Sequence, residues 1–151
     1  MMNTRATRSV LLCLAAMLLV GAAAMNEPDA RQAQENALKV EYLEIVTPSV
    51  QETCEALGRA HGVEFGEPVP ALGNARTADL EEGGRIGVRA PMHDAEKPVV
   101  RPYVLVEDIE AAIKAATADG AKVMVPPMEL PGQGTCALYL LGGIEHGLWQ
   151  R

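Results

Sequence analysis

From residue 40 onward the chain switches repeatedly between two hydrophobic periods. Residues 40–47 (VEYLEIVT) alternate, with Leu43 and Ile45 on one side and Tyr42 and Glu44 on the other, the period of two that marks a strand. Ser49 with Glu52 three residues later makes a capping-box pattern, which predicts a helix running to about Ala60 and ending near His61-Gly62. Residues 63–65 predict a short strand, residues 75–80 another after the turn Leu72-Gly73-Asn74, and residues 85–89 a fourth after Glu81-Glu82-Gly83-Gly84. Residues 91–98 read as a linker. The series then starts again. A strand over 102–107 leads to a helix capped by Asp108, with Ile109, Ala112, Ile113 and Ala116 on its apolar face and an end at Asp119-Gly120. A strand over 121–125, a proline-rich turn at Pro126-Pro127, a strand over 135–141, the turn Gly142-Gly143 and a last strand over 145–150 complete it.

The two series match in register. Ser49 and Asp108, the helix starts, lie 59 residues apart, and Gly62 and Gly120, the helix ends, lie 58 apart. An internal repeat is a stronger indicator of fold than any one element. Half the length is too small to hold a core alone, so the halves are expected to share one. The predicted fold class is α+β: two βαβββ modules, about 40–94 and 99–151, forming a curved mixed sheet around a cup with the helices outside. The modules pair within one chain or swap between two, so a homodimer is among the expected assemblies.

Composition narrows this picture. The chain has 151 residues, 48% of them apolar but only 3% aromatic, so the core is expected to be chiefly aliphatic. Residues 1–24 carry Arg5 and Arg8, an apolar run over 10–20 broken only by Cys13, and Ala22-Ala23-Ala24. That is the three-part pattern of an export signal, and it predicts a periplasmic or secreted domain, or one anchored to a membrane by an uncleaved segment. Residues 25–39 read as a polar tether and 40–151 as the domain. The formal net charge is −7, and removing Arg5 and Arg8 with the signal takes it to −9. No basic stripe appears, which argues against nucleic acid as a partner. After cleavage Cys54 and Cys136 remain, read as buried unpaired thiols, although an oxidising compartment would permit a disulfide.

The segments YLEIVTPSV, GRIGVRAP, PYVLVEDIEAAIKAATADGAKVMVPPMELPGQGT and GGIEHGLWQ together resemble the glyoxalase/bleomycin-resistance/extradiol-dioxygenase superfamily, also called vicinal oxygen chelate. The resemblance covers residues 40–150. It implies a divalent metal in the cup, held by a His on the first strand of each module and a Glu on the last strand. Those positions here carry Tyr42, Arg101 and about Gly147, which cannot form a site of two His and one carboxylate. No metal or other cofactor is therefore expected. The Gly142-Gly143-Ile144-Glu145 turn also departs from the family's Pro-Asp-Gly-Asn.

Alternation places Tyr42, Glu44, Arg101, Tyr103, Glu145 and Trp149 on the cup face, with Arg85 and Arg89 either joining them or forming a solvated strand face. Glu44 and Arg101 are placed to pair across the pseudo-twofold axis. Such a cup suits a small anionic or aromatic molecule, because Arg recognises carboxylates through a fork of donors. His61, His93 and His146 read as a helix-end, a linker and an outward-facing residue. The leading expectation is an exported, metal-independent small-molecule-binding domain. The alternatives are a lyase, isomerase or dioxygenase-type enzyme, with unusual metal ligands or with Glu44 or Glu145 as a metal-free base, and an interaction module with an inert cup.

Overall fold

The computed structural model describes residues 37–81 and 83–151, so the signal pattern and nearly all of the tether lie outside the described residues. Seven strands form one open, curved sheet: β1 (Val40–Val46), β2 (Arg76–Asp79), β3 (Arg85–Arg89), β4 (Val99–Leu105), β5 (Lys122–Leu130), β6 (Gly134–Leu141) and β7 (Ile144–Gln150). Their order across the sheet is β2-β3-β1-β4-β7-β6-β5. Two helices, α1 (Val50–His61) and α2 (Ile109–Ala118), follow β1 and β4. The architecture is therefore α+β with repeated modules, and the repeat is visible in the pairing. β1 lies parallel to β3 as β4 lies parallel to β7, and β1 and β4 meet antiparallel at the centre. The β1–β4 ladder joins the two modules into the one curved mixed sheet expected from the sequence.

Three local expectations are corrected. Residues 63–65 form no strand. The segment is instead tied to β2 at its end: Arg76 donates to the carbonyls of Phe65 at 3.0 Å and Gly66 at 2.9 Å, and the Gly66 amide donates to the Thr77 carbonyl at 2.9 Å. The first module is thus βαββ. The Ser49 side chain accepts no capping hydrogen bond; its amide turns back to Thr47 Oγ1 at 3.2 Å. Pro126 and Pro127 do not break the chain into a turn but lie inside β5. That strand is an edge, and its register slips between Val125 and Met128, so the missing amides cost no ladder bonds to a second neighbour.

The helix ends obey local chemistry. Gly62 closes α1 in the left-handed region at φ 69°, its amide donating to the Gly58 carbonyl at 2.8 Å. Asp108 caps α2 by accepting from the Ala111 amide at 2.9 Å, and Gln150 Oε1 accepts the Ile109 amide at 2.9 Å, tying the start of α2 to the end of β7. On the outer face Ile109 packs with Ala137 and Leu148, supported by Val106, Ala112, Ile113 and Tyr139. On the inner face Tyr42, Leu72, Ala75, Cys136 and Trp149 form the core. Cys54 and Cys136 are both buried and unpaired.

Two glycines on parallel strands make the inner face possible. The Tyr42 ring lies over Gly87 and the Tyr103 ring over Gly147, so that a Cβ at either glycine would overlap the ring. Gly147→Ala is therefore expected to destabilise the domain by about 1–3 kcal/mol, read as a lowered urea midpoint. An unchanged midpoint would show that Tyr103 does not rest on the β7 backbone.

Candidate functional site

The cup is the concave inner face of the sheet, closed on one side by the linker between modules, with a volume of about 850 Å³. Its floor is a cluster of three rings. Tyr42 and Tyr103 face each other across the β1–β4 ladder with ring centroids 5.7 Å apart, and Trp149 stands 5.4 Å from Tyr42 and 5.9 Å edge-on from Tyr103. Such tilted contacts are the favoured aromatic geometry. The indole Nε1 donates to the Gln133 carbonyl at 3.2 Å, and Gln133 Oε1 accepts from Arg85 at 2.7 Å, so the β5–β6 turn is fastened to β3.

The polar wall is a network of five charged groups from both modules. Glu44, opposite Arg101 in the ladder, accepts from Arg89 Nε at 2.6 Å, from Arg101 Nη1 at 2.8 Å and from the Tyr103 hydroxyl at 3.3 Å. Glu96 accepts from both terminal nitrogens of Arg89 at 2.8 Å and from Arg101 Nη2 at 3.1 Å. It also receives the Met92 amide at 2.7 Å. Arg101 Nε donates to Glu145. Burial opposes the charge on Arg89 and Arg101. Their carboxylate partners outweigh it, chiefly Glu96 for Arg89 and Glu145 with Glu44 for Arg101, and hold both guanidinium groups above their ordinary range. The Arg89 hydrogen bond pulls the Glu96 carboxyl down to about 2, against burial and with help from the Met92 amide and Arg101. Burial, then the nearby Glu44 charge, pushes both cup tyrosines up. They are neutral hydroxyls in the cup.

Tyr42, Glu44, Arg101, Tyr103, Glu145 and Trp149 all line this one cavity, as alternation along β1, β4 and β7 predicts. The Glu44–Arg101 pair is present. Arg89 is not on a solvated face but is 3% exposed inside the network, whereas Arg85 reaches away to Gln133. Glu96 was not legible in the sequence, because a linker residue has no period to assign its face. Its only signal was an acidic residue five positions before Arg101 and seven after Arg89. His146 stacks on Tyr139, ring centroids 5.2 Å apart, and neither lines the cup.

The residues at the superfamily's metal positions do not fit a divalent ion. Tyr42 is packed among the rings, Arg101 is a cation, and Gly147 lies under Tyr103. Glu44, Glu96 and Glu145 are each bonded to a guanidinium. Among the described residues no group of three or more His, Cys, Asp or Glu side chains is arranged to hold a metal. Both Glu44 oxygens accept hydrogen bonds, so acting as a base would require breaking an ion pair.

No protein-family model matches the chain, and no curated protein matches its sequence. Solved structures do match its fold. A hypothetical protein (BH1468) of Bacillus halodurans C-125 superposes with a TM-score of 0.62 at 13% identity, over 76% of this chain and 95% of that one. Methylmalonyl-CoA epimerase of Mycobacterium tuberculosis gives 0.57 at 15% identity, over 74% and 86%. A Streptomyces coelicolor methylmalonyl-CoA epimerase variant in complex with 2-nitronate-propionyl-CoA gives 0.56 at 14%, over 76% and 98%. The chain has the glyoxalase, or vicinal oxygen chelate, fold.

The network makes the domain sensitive to acid. The folded-state Glu96 carboxyl is below its ordinary value of 4.5, so its contribution is complete above that pH and is lost as pH falls toward 2. Glu96→Gln should destabilise by about 3 kcal/mol at neutral pH, since it leaves buried guanidinium groups underpaired. It should also flatten the decline in urea midpoint between pH 5 and pH 3. An equally steep decline in the variant would place the acid sensitivity elsewhere.

Proposed function

We propose that this chain is an exported glyoxalase-like domain that binds a small anionic or ring-bearing molecule in its cup, without a divalent metal. The observation that carries this reading is the open cup of about 850 Å³, which joins a floor of three rings to a wall of two guanidinium groups. The size falls in the usual range of roughly 300–1,000 Å³ for small-molecule sites. Met124, Met128, Leu130, Leu138 and Ile144 supply apolar walls, and the fixed polar groups would orient a ligand. An inert interaction module predicts a cup filled by its own side chains, and the open cavity weighs against it. Sharing a fold with epimerases carries no activity over, because function resides in the site. Export rests on the pattern of residues 1–24 alone.

Trp149 is the chain's single tryptophan and sits in the floor, so it reports on the cup. Titration with small ring-bearing acids and their neutral amides should give a saturable change in Trp149 fluorescence, with one site per chain by calorimetry. No saturable response to any of them would contradict this reading.

A further inference from the structure

The three carboxylates of the wall are not equivalent. The Glu44 and Glu96 side chains are 8% and 10% exposed, and each bridges both guanidinium groups. Glu145 is 30% exposed and, among the described residues, its carboxylate pairs with Arg101 alone. Two guanidinium groups and two bridging carboxylates already balance in charge. Glu145 adds a third negative charge to that network; Lys97 also lines the cup, but among the described residues it makes no ion pair with Glu145, and excess charge beside apolar walls is costly. Its place in the chain lets it leave. It stands at the start of β7, beside Ile144, which is 64% exposed, and just after the Gly142-Gly143 turn at the rim.

We propose that Glu145 holds the place of a ligand carboxylate on Arg101, and that the cup's ligand class is the ring-bearing monocarboxylic acids. This rests on the reading of the cup as a small-molecule site. When such an acid enters, its carboxylate takes the Arg101 Nε donor and Glu145 turns out to solvent. One charge-assisted hydrogen bond replaces another of the same kind and the charge on Arg101 stays matched. The net gain then comes from burying the ring. Arg101 and Tyr103 are two residues apart on one face of β4, about 7 Å, so an acid seated on Arg101 brings its ring to the aromatic floor. A small acid without a ring gains nothing from the exchange. A neutral ring gains burial but has no quarrel with Glu145. Glu145 is thus a specificity-determining residue that competes only with anions.

The test compares wild type with Glu145→Gln, using benzoate and phenylacetate, their amides, and acetate. Binding is read by Trp149 fluorescence and calorimetry at fixed ionic strength. The variant should bind the aromatic acids at least tenfold more tightly, while affinity for the amides changes less than twofold and acetate does not bind the wild type. Glu145→Asp, which draws the carboxylate back, should give a smaller gain of the same selectivity. If the amides bind both proteins and the acids gain nothing, or acids and amides gain equally, the role of Glu145 fails while the cup remains a binding site. If no probe binds either protein, the cup reading fails and this inference with it.

Discussion

A buried carboxylate must find cations, and Glu44 finds two. It sits on β1 in the middle of the sheet, where Arg89 reaches it from β3 and Arg101 from β4 across the seam between modules. Both guanidinium groups are then buried and need further acceptors. Glu96 supplies them from the linker and Glu145 from β7. Removing either partner of such a pair is far more costly than the pair is stabilising, because it leaves an uncompensated charge in a medium of low polarity. The network therefore specifies more than it stabilises. It fixes the register of the central ladder, draws residues 91–98 over the cup, and joins both modules through side chains as well as through the sheet.

The aromatic floor depends on the same seam. Tyr42 and Tyr103 are ladder partners, and each ring lies flat only because a glycine, Gly87 or Gly147, stands beneath it on the neighbouring parallel strand. Gly147 is therefore required by the ring above it. A side chain at position 147 would run into the Tyr103 ring, and the positive charges of the polar wall are those of Arg101 and Arg89.

Much of this was legible in the sequence, because strict alternation on β1, β4 and β7 assigns faces residue by residue, and the 59-residue repeat aligns those faces across the pseudo-twofold axis. That is how Glu44 and Arg101 could be placed opposite each other. What escaped had no period to betray it. Glu96 lies in an irregular linker, and its role appears only once the chain is folded back over the cup. Residues 63–65 have strand-like composition, yet the Arg76 side chain takes the Phe65 carbonyl, and that of Gly66 beyond it, which a neighbouring strand would otherwise engage. Pro126 and Pro127 look like a break, but an edge strand with a slipped register accommodates them.

Arg89 and Arg101 satisfy the carboxylates of the cup, which leaves none free to ligate a metal ion. Titrating untagged, chelator-treated protein with Mn, Fe, Co, Ni and Zn ions in a calorimeter, alongside Glu44→Gln, puts this arrangement to the test. No stoichiometric binding that depends on Glu44 and no metal-dependent rise in melting temperature are expected. One equivalent of metal bound per chain, raising the melting temperature of the wild type and lost in Glu44→Gln, would contradict it.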